Sequence, residues 1–388
     1  MARVIRRRNC VAAVGIETTQ GVDVFGGSPS ASTDFLRAEV DIAFNQNQVQ
    51  NPEFTGSLDA SPALPGGTRV TVTLTCLLKG SGSVSTAPQW GKLMRACGFL
   101  ETVNAGIAAA VASDGDQTSF IPGSGFSKTD NVYLGQPFLL SLPGSAMDAL
   151  TVANSSGGTG LVVPSQNYPG FVKGTTTAAL LPNITYRPIV DPDAIPSLTI
   201  YVYMDGIRYK FTGARGNMTL DMQTAGIGTL KFTMNAQYSP SDQAPIPSGI
   251  VFDAPQPPIF RNGIARAGRK QIRIARFSFD GGLTVVNPDN PEAGEGFDPA
   301  EITVRASTGS IDPLMSITDT AVRIADFKAG NRTSIAIGTG SVAGNMFGIT
   351  VPAAQFTGVT FQNRNDLMAE SYNFGCTGSN LGVILCQY

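Results

Sequence analysis

Apolar and polar residues alternate strictly along three stretches of the chain, 36–44, 69–76 and 229–238. A period of two places one side of a β-strand on a core and the other side in a polar setting. Strands of this kind belong to antiparallel sheets, because strands of parallel sheets are usually buried on both faces. The pattern therefore predicts a mainly β protein.

Turn residues connect several of these predicted strands. Asp205-Gly206 lies between two strand-like runs within 199–213, and this dipeptide is a strong signal for a two-residue β-hairpin. A second pair, 217–222 and 228–238, is predicted to turn at Ala225-Gly226. Antiparallel hairpins thus account for the middle of the chain.

Two stretches have helical spacing instead. Residues 87–98 place Trp90, Leu93, Met94 and Cys97 on one apolar face, and Gly98 is a typical helix end. Residues 319–330 end at a glycine in the same way, with a weaker apolar stripe. The four apolar residues of the first helix are predicted to pack against a sheet.

The order of these elements occurs twice: a strand, a long polar loop, a second strand, a helix and further strands. This self-similarity predicts two copies of one antiparallel β-unit in tandem, each with one packed helix. A stretch rich in Gly, Ser and Thr interrupts the first copy, and a Pro-rich stretch follows it. The predicted division is an N-terminal arm 1–34, a first unit 35–100 and 191–240, an inserted subdomain 101–190, a linker 241–260 and a second unit 261–388.

Composition supports this organisation and limits the chemistry. The 44 Gly, 25 Pro and 14% charged residues are typical of many strands joined by turns. The chain contains no histidine, so histidine-based catalysis and zinc sites with histidine ligands are impossible. Carboxylate chemistry stays possible at Glu39 with Asp41, or at Glu292, Glu295 and Asp298. Their positions favour a solvated or interface strand and an acidic loop, so neither an enzyme nor a cofactor is predicted.

Charge, hydropathy and cysteine content further limit the functional classes to which the protein can belong. A net charge of −2 does not provide the excess of positive charge that tight nucleic-acid binding requires. No apolar run approaches the length of a membrane span, and the start lacks a convincing signal peptide, so we expect a cytoplasmic protein. The five cysteines are predicted to be small buried hydrophobic residues. Cys376 and Cys386 lie close enough in sequence to pair, although nothing requires a disulfide.

Four segments of the chain carry a resemblance to a known family. They are VGIETTQG at 14–21, the strand-and-helix segment 65–99, the hairpins of 196–234, and the helix and strands of 325–359. Together they resemble the major tail tube proteins of long-tailed bacteriophages. Their order carries the resemblance, since no one segment is diagnostic. The resemblance covers about half of the chain and leaves 101–190 without a counterpart.

The resemblance implies a β-sandwich or half-barrel unit whose copies join edge to edge into rings that stack into a tube. Two units per chain favour a ring of three chains with pseudo-sixfold symmetry over a ring of six chains. The implied partners are further copies of the chain, the tape-measure protein, the tail terminator and distal tail proteins, with genomic DNA passing only transiently through the lumen. Such a protein is expected in the virion tail after assembly in the host cytoplasm, without contact to a membrane.

The same resemblance indicates which residues make contacts between subunits or rings. The long loops, 45–68 and 281–299, would reach between rings through the apolar residues Phe54, Leu58 and Phe297. The basic N-terminal residues would order on an acidic neighbour; they are Arg3, Arg6, Arg7 and Arg8. Each group has a plain alternative, a solvent-exposed loop and a free tail.

Two other functions fit the composition. A tail terminator or capsid-decorating protein would form one ring or cap and would not polymerise along an axis. A carbohydrate-binding β-sandwich would normally present an aromatic platform, whereas the one tryptophan, Trp90, lies on the apolar face of a predicted helix.

Overall fold

The computed structural model describes residues 4–54, 56, 58, 59, 61–154, 158–378 and 382–388. Half of the chain is in β-strands and 5% is in helices, and its main sheet forms a half-barrel. The prediction of a mainly β fold built from antiparallel sheets is therefore confirmed.

The first part of the chain supplies five strands and a short helix. They are β1 (Cys10–Ile16), β2 (Phe35–Leu36), β3 (Glu39–Val49), β4 (Leu64–Leu77), α1 (Gly91–Ala96) and β5 (Phe99–Asn104). β3 and β4 form a long hairpin with Val40 opposite Leu74. Along Val70–Cys76 of β4 the apolar residues are buried and the threonines are half-exposed, as the period of two requires.

A separate small sheet follows, within the predicted inserted subdomain. Its strands are β6 (Ile107–Val111), β7 (Asp114–Gly115), β8 (Phe120–Ile121), β9 (Pro137–Leu142), β10 (Ser145–Asn154), β11 (Val162–Pro164) and β12 (Thr177–Leu180). This sheet has its own hydrophobic core, which includes Phe120 and Phe138. Leu150 packs beside Ala336 and Cys386, so this subdomain docks on the second half of the chain.

The chain then returns to the first unit through β13 (Asn183–Pro188), a 3-10 turn (Pro192–Ala194), β14 (Leu198–Met204), β15 (Ile207–Gln223) and β16 (Thr229–Gln243). Asp205 and Gly206 form the turn between β14 and β15 with φ values of 47° and 112°. Positive φ at both central residues is what a type I′ hairpin requires, and this explains the Asp-Gly pair.

The second unit completes the chain. Its elements are β17 (Ile264–Ala267), β18 (Lys270–Gln271), β19 (Ile274–Asp280), β20 (Leu283–Val286), β21 (Glu301–Arg305), β22 (Thr308–Pro313), α2 (Asp319–Ala329), β23 (Arg332–Thr339), β24 (Phe347–Arg364), β25 (Leu367–Cys376) and β26 (Ile384–Gln387). The helix α2 ends at Gly330, which has the left-handed φ of 67° typical of a helix C-terminus.

The two units have the same strand order. In the first unit neighbouring strands follow the order β3-β4-β16-β15-β14-β1, and in the second the order β19-β22-β25-β24-β23-β17. In both units the helix lies in the chain between the second strand and the strand that begins the next hairpin. The topology is thus duplicated, as the repeated order of elements in the sequence indicates.

A strand pairing joins the two units. The last residues of β15, Thr219–Gln223, pair antiparallel with Arg276–Asp280 of β19. Leu220 lies opposite Phe279 and Met222 opposite Phe277, and all four side chains are buried. One hydrophobic cluster therefore extends through both units, and the sheet is continuous across the joint.

Four element boundaries differ from those predicted. β3 extends to Val49 and β4 begins at Leu64, so the connection is 50–63 rather than 45–68. β1 pairs with β14 and is buried, so Cys10–Ile16 of the predicted N-terminal arm is part of the sheet. β5 and β13 pair with each other, and β13 also pairs with β26, so the separate sheet lies within 105–182. The predicted linker is packed, since Ile246 and Phe252 contact the face of β1 and β14 opposite the main core.

Candidate assembly surfaces

The β3–β4 hairpin carries the most exposed large apolar side chains that the structure describes. Phe54 and Leu58 lie in its connection, with exposed fractions of 104% and 108% relative to an extended reference. Side chains exposed to this degree contact nothing in their own chain. Because burial of apolar surface is favourable, they are suited to contacts with another molecule.

The predicted contact residue Phe297 has a different environment. Its ring is buried beneath the guanidinium group of Arg69 on β4, with 4.3 Å between the guanidinium carbon and the ring centroid. Phe297 O accepts a hydrogen bond of 2.7 Å from Gln237, and Glu295 accepts one of 2.9 Å from the backbone N–H of Thr68. Contrary to the expectation of an exposed anchor, this loop fastens the base of the β3–β4 hairpin within one chain.

The basic N-terminal residues lie on acidic side chains of their own chain. Arg7 Nη2 is 2.8 Å from Glu39 Oε1 and 3.1 Å from Asp41 Oδ1 on β3. The backbone N–H of Arg6 donates to Asp205 in the β14–β15 turn. Arg8 is exposed beside them, and the predicted contact residue Arg3 lies outside the described residues. Within one chain this segment therefore lies on acidic groups of β3 and of the β14–β15 turn.

The four residues on the apolar face of the first predicted helix are all buried in the main core; they are Trp90, Leu93, Met94 and Cys97. Trp90 Nε1 donates a hydrogen bond of 2.8 Å to Lys79 O, which satisfies the indole N–H inside the core. Cys97 Sγ lies 4.0 Å from Met234 Sδ on β16. The regular α-helix covers only Gly91–Ala96, shorter than the predicted 87–98.

The face of the continuous sheet opposite this core is polar. Threonine, serine and asparagine side chains alternate with the buried residues; examples are Thr71, Thr73, Thr233, Asn235, Ser278 and Ser310. Two cations on this face, Arg276 and Arg364, are paired with carboxylates, whereas Lys231 on β16 is exposed there. Arg276 donates two hydrogen bonds to Asp221, of 2.6 and 3.0 Å, and these raise the pKa of Arg276. Arg364 lies 2.8 Å from Asp312.

The remaining chemistry-bearing residues show no convergence. In the described part of the chain, no three Asp, Glu or Cys side chains come together as metal ligands. The five cysteines are free thiols, so Cys376 and Cys386 are not paired in the structure. Among the described residues no helix is long and apolar enough to cross a membrane.

The sequence did not predict the pairing between β15 and β19. It also did not predict the contact between Arg69 and Phe297 that fastens the base of the β3–β4 hairpin. The alternation of Phe277 and Phe279 with polar residues marks β19 as a strand of the core, but it does not identify its partner. The contact between Arg69 and Phe297 has no local signal, because the two residues lie in different units.

Comparison with known proteins agrees with this architecture. A family model described as phage tail tube protein matches residues 8–376, which is nearly the whole chain. A search of curated proteins found no match. A match of this extent reaches from β1 to the end of β25. The chain therefore belongs to the phage tail tube protein family and is a structural component of a phage tail.

Proposed function

We propose that three copies of this chain close into a ring with pseudo-sixfold symmetry, and that rings stack along one axis into the tail tube. The observation that carries this proposal is the duplicated strand order together with the internal joint between β15 and β19. Each chain supplies two equivalent units already joined edge to edge. Three chains then provide six units, and closure of the sheet removes the exposed strand edges.

The polar face of the continuous sheet is proposed to line the lumen. Its opposite face holds the core and the helix α1, so the channel would be bordered by the part of the polar face that the segment after β19 leaves uncovered. Asn235 and Gln237 on this face donate hydrogen bonds to Val285 O and Phe297 O of that segment. DNA passing through a tube must not be held at its phosphates, because each fixed Lys or Arg contact strengthens binding. Arg276 and Arg364 are neutralised by Asp221 and Asp312, which suits a passive conduit.

Contacts between rings are proposed at the tip of the β3–β4 hairpin. Phe54 and Leu58 supply apolar anchors of the kind that stabilise protein interfaces. Phe297 contributes indirectly, since it holds the base of the same hairpin through Arg69. The exposed residues Arg6 and Arg8 flank Arg7, which is paired with Glu39 and Asp41 of its own chain, and they add positive charge for an acidic surface of a neighbour.

The assembled tube is proposed to enclose the tape-measure protein, to end at tail terminator and distal tail proteins, and to let genomic DNA pass at ejection. Assembly in the host cytoplasm fits a chain whose five thiols are all free. No cofactor is needed for such a role.

Electron microscopy of the purified full chain over a series of concentrations tests this function. Hollow tubes with a regular axial repeat are expected, and a single ring is expected to have three times the chain mass of 40.5 kDa. Rings of six chains would contradict the three-chain symmetry but keep the tube. Closed single rings at every concentration would instead favour a terminator-like role, and a persistent monomer would contradict self-assembly.

A further inference from the structure

Two strand edges of the duplicated fold have no partner strand in the described part of the chain. β3 pairs with β4 through one edge, and its other edge is open. β24 pairs with β23 as far as Gln355, and its final residues pair only with β25. Each open edge presents unpaired backbone N–H and C=O groups, which readily accept a strand from another chain.

The internal joint shows how edges of this kind are covered. β15 leaves β14 at Ala214, and its final segment Thr219–Gln223 pairs instead with β19. In the second unit β24 takes the place of β15, and in the first unit β3 takes the place of β19. The two open edges are thus the equivalents of the two edges that meet inside the chain.

We propose that Thr360–Arg364 of β24 pairs antiparallel with Glu39–Ala43 of β3 in a second copy of this chain. The pairing repeats between chains the joint that β15 and β19 make within one chain. The inference rests on the proposed ring and specifies which strands hold it together and in which register.

Cross-strand partners determine the register. In the first unit, a line of residues that lie opposite one another on neighbouring strands runs from Thr219 on β15, through β16 and β4, to Glu39 on β3. From Thr360 on β24, the same path through β25 and β22 leads to the neighbourhood of Arg276, whose backbone N–H donates to Asp312 on β22. β15 leaves β14 after Ala214 and β24 leaves β23 after Gln355, and Thr219 and Thr360 lie the same distance beyond these points, so we treat them as equivalent. The two paths then make Glu39 equivalent to Arg276.

This equivalence matches side chains on both faces of the proposed pairing. Arg276 pairs with Gln223 in the internal joint, so Glu39 is expected opposite Arg364. Within each chain Glu39 is bound by Arg7 and Arg364 by Asp312, so the opposite charges would extend existing ion pairs across the joint. On the core face Phe361, with 57% of its surface exposed, is expected opposite Ile42. A phenylalanine would thus be covered by an aliphatic side chain, as Phe279 is covered by Leu220 in the internal joint.

The hairpin turns show a second match. In the internal joint, the turn after β15 docks on the start of β19 and on the segment before it. The N–H of Thr224 donates to Ala275 O at 2.8 Å and that of Ala225 to Phe260 O at 2.9 Å. The equivalent turn after β24 leads directly into the exposed Leu367 at the start of β25.

A cavity of about 410 Å³ lies at the corresponding place beside the start of β3. Its lining combines the apolar Ile5, Cys10, Ala38 and Met204 with charged residues, which are Arg6, Arg7, Arg8 and Glu39. Leu367 and Met368, at the start of β25 in the neighbouring chain, would bury exposed apolar surface against the apolar part of this lining.

Disulfide crosslinking in the assembled full-length protein tests the proposal. Ile42→Cys with Phe361→Cys places two thiols directly across the proposed pairing, within the range that a disulfide spans. After mild oxidation of tubes, we expect loss of most of the monomer band and a reducible species of three chains on denaturing gels. The controls are the wild-type chain, both single variants and the register-shifted pairs, in which Phe361→Cys is combined with Val40→Cys or Phe44→Cys.

The outcomes separate this inference from the proposed function. Tubes without a crosslink in the Ile42–Phe361 variant, or with crosslinks mainly in a shifted pair, would overturn the proposed joint and leave the tube intact. Absence of rings and tubes from the wild-type chain would overturn both. As an independent check, Phe361→Lys is expected to leave a folded chain that no longer closes rings, whereas Val304→Lys, an exposed position on β21, is expected to assemble normally. Normal rings from Phe361→Lys would contradict the proposed joint.

Discussion

Arg323 on α2 donates two hydrogen bonds to Oε2 of Glu370 on β25, of 2.6 and 3.0 Å. The exposed fractions of the two side chains are 9% and 0%. The other carboxylate oxygen, Oε1, has no hydrogen-bond partner in the described part of the chain. The helix of the second unit is thus connected to its sheet by a buried ion pair in which the carboxylate depends on one guanidinium group.

Removal of Arg323 is expected to destabilise the chain strongly. Arg323→Ala leaves the Glu370 carboxylate buried without its partner, which typically costs about 3–5 kcal/mol of the free energy of unfolding. Replacement of both residues, Arg323→Met with Glu370→Leu, is expected to recover most of the loss. Urea unfolding of the unassembled chain measures the free energy of unfolding of both variants. Arg7→Ala is the control, because its ion pair is exposed and is expected to contribute less than about 1 kcal/mol. Equal losses in Arg323→Ala and Arg7→Ala would show that burial does not matter here.

The hairpin tip is expected to act in stacking and not in folding. Phe54→Ser with Leu58→Ser removes two apolar side chains that touch nothing in their own chain, so the melting temperature should stay unchanged. Rings should persist while tubes become shorter or disappear in electron micrographs. Val190→Ser with Val342→Ser, two exposed positions outside the tip, provides the matched control. Tubes of normal length from the tip variant would exclude this surface from ring stacking.

Phe297 is expected to control the order of the same hairpin. Phe297→Ala removes the ring beneath Arg69 and should lower the free energy of unfolding by about 3 kcal/mol, typical of a buried phenylalanine. Backbone amides of Asn45–Val49 and Leu64–Arg69 should then exchange faster with solvent in hydrogen-exchange measurements. Ile317→Ala, at a fully exposed position, serves as the control and should change neither quantity. Unchanged amide exchange rates in the hairpin would mean that the contact between Phe297 and Arg69 is not needed to order it.

The cysteine thiols are expected to be inert in the folded chain. Burial raises the pKa of Cys76 and of Cys376 to about 12, and it also raises the pKa of Cys97 and Cys386. At about pH 8 these thiols should therefore label with a maleimide only after unfolding. All five should label in denaturant without a reductant, since none is in a disulfide. Peptide mass spectrometry measures both results, and fast labelling of Cys97 in the folded chain would contradict its burial.

The same pKa shifts set the sign of a pH effect. A thiol whose pKa is raised by folding favours the folded state below its unfolded pKa of about 8.5. This contribution is lost as the pH rises through the folded pKa of about 12 for Cys76 and Cys376. The free energy of unfolding should consequently fall between these values, and Cys76→Ala should show a smaller fall than the wild-type chain.

Local patterns in the sequence were sufficient for the elements that a core or a tight turn imposes. The alternation along 69–76 predicts β4, because each buried residue needs the inward face of a strand. Asp205-Gly206 predicts its hairpin, because few other residues accept positive φ at both turn positions. The repeated order of strands and helices indicates the duplication for the same reason, since each unit must bury its own sheet face.

Features without a local signature depended on the tertiary structure. The distal half of β3 is polar on both faces, as Asn45, Gln46 and Gln48 show, so no alternation separates it from a loop, and only backbone pairing with β4 makes it a strand. Phe297 resembles an exposed anchor in sequence, but Arg69 covers it after the second unit folds against the first.

Side-chain periodicity therefore determined which residues form strands and which face each strand buries. The tertiary structure decided which strand edges meet. Backbone hydrogen bonds between strands are the same for every residue type, so the sequence of an edge carries little information about its partner. Only the folded chain shows that β15 meets β19 and that the equivalent edges of β3 and β24 are open.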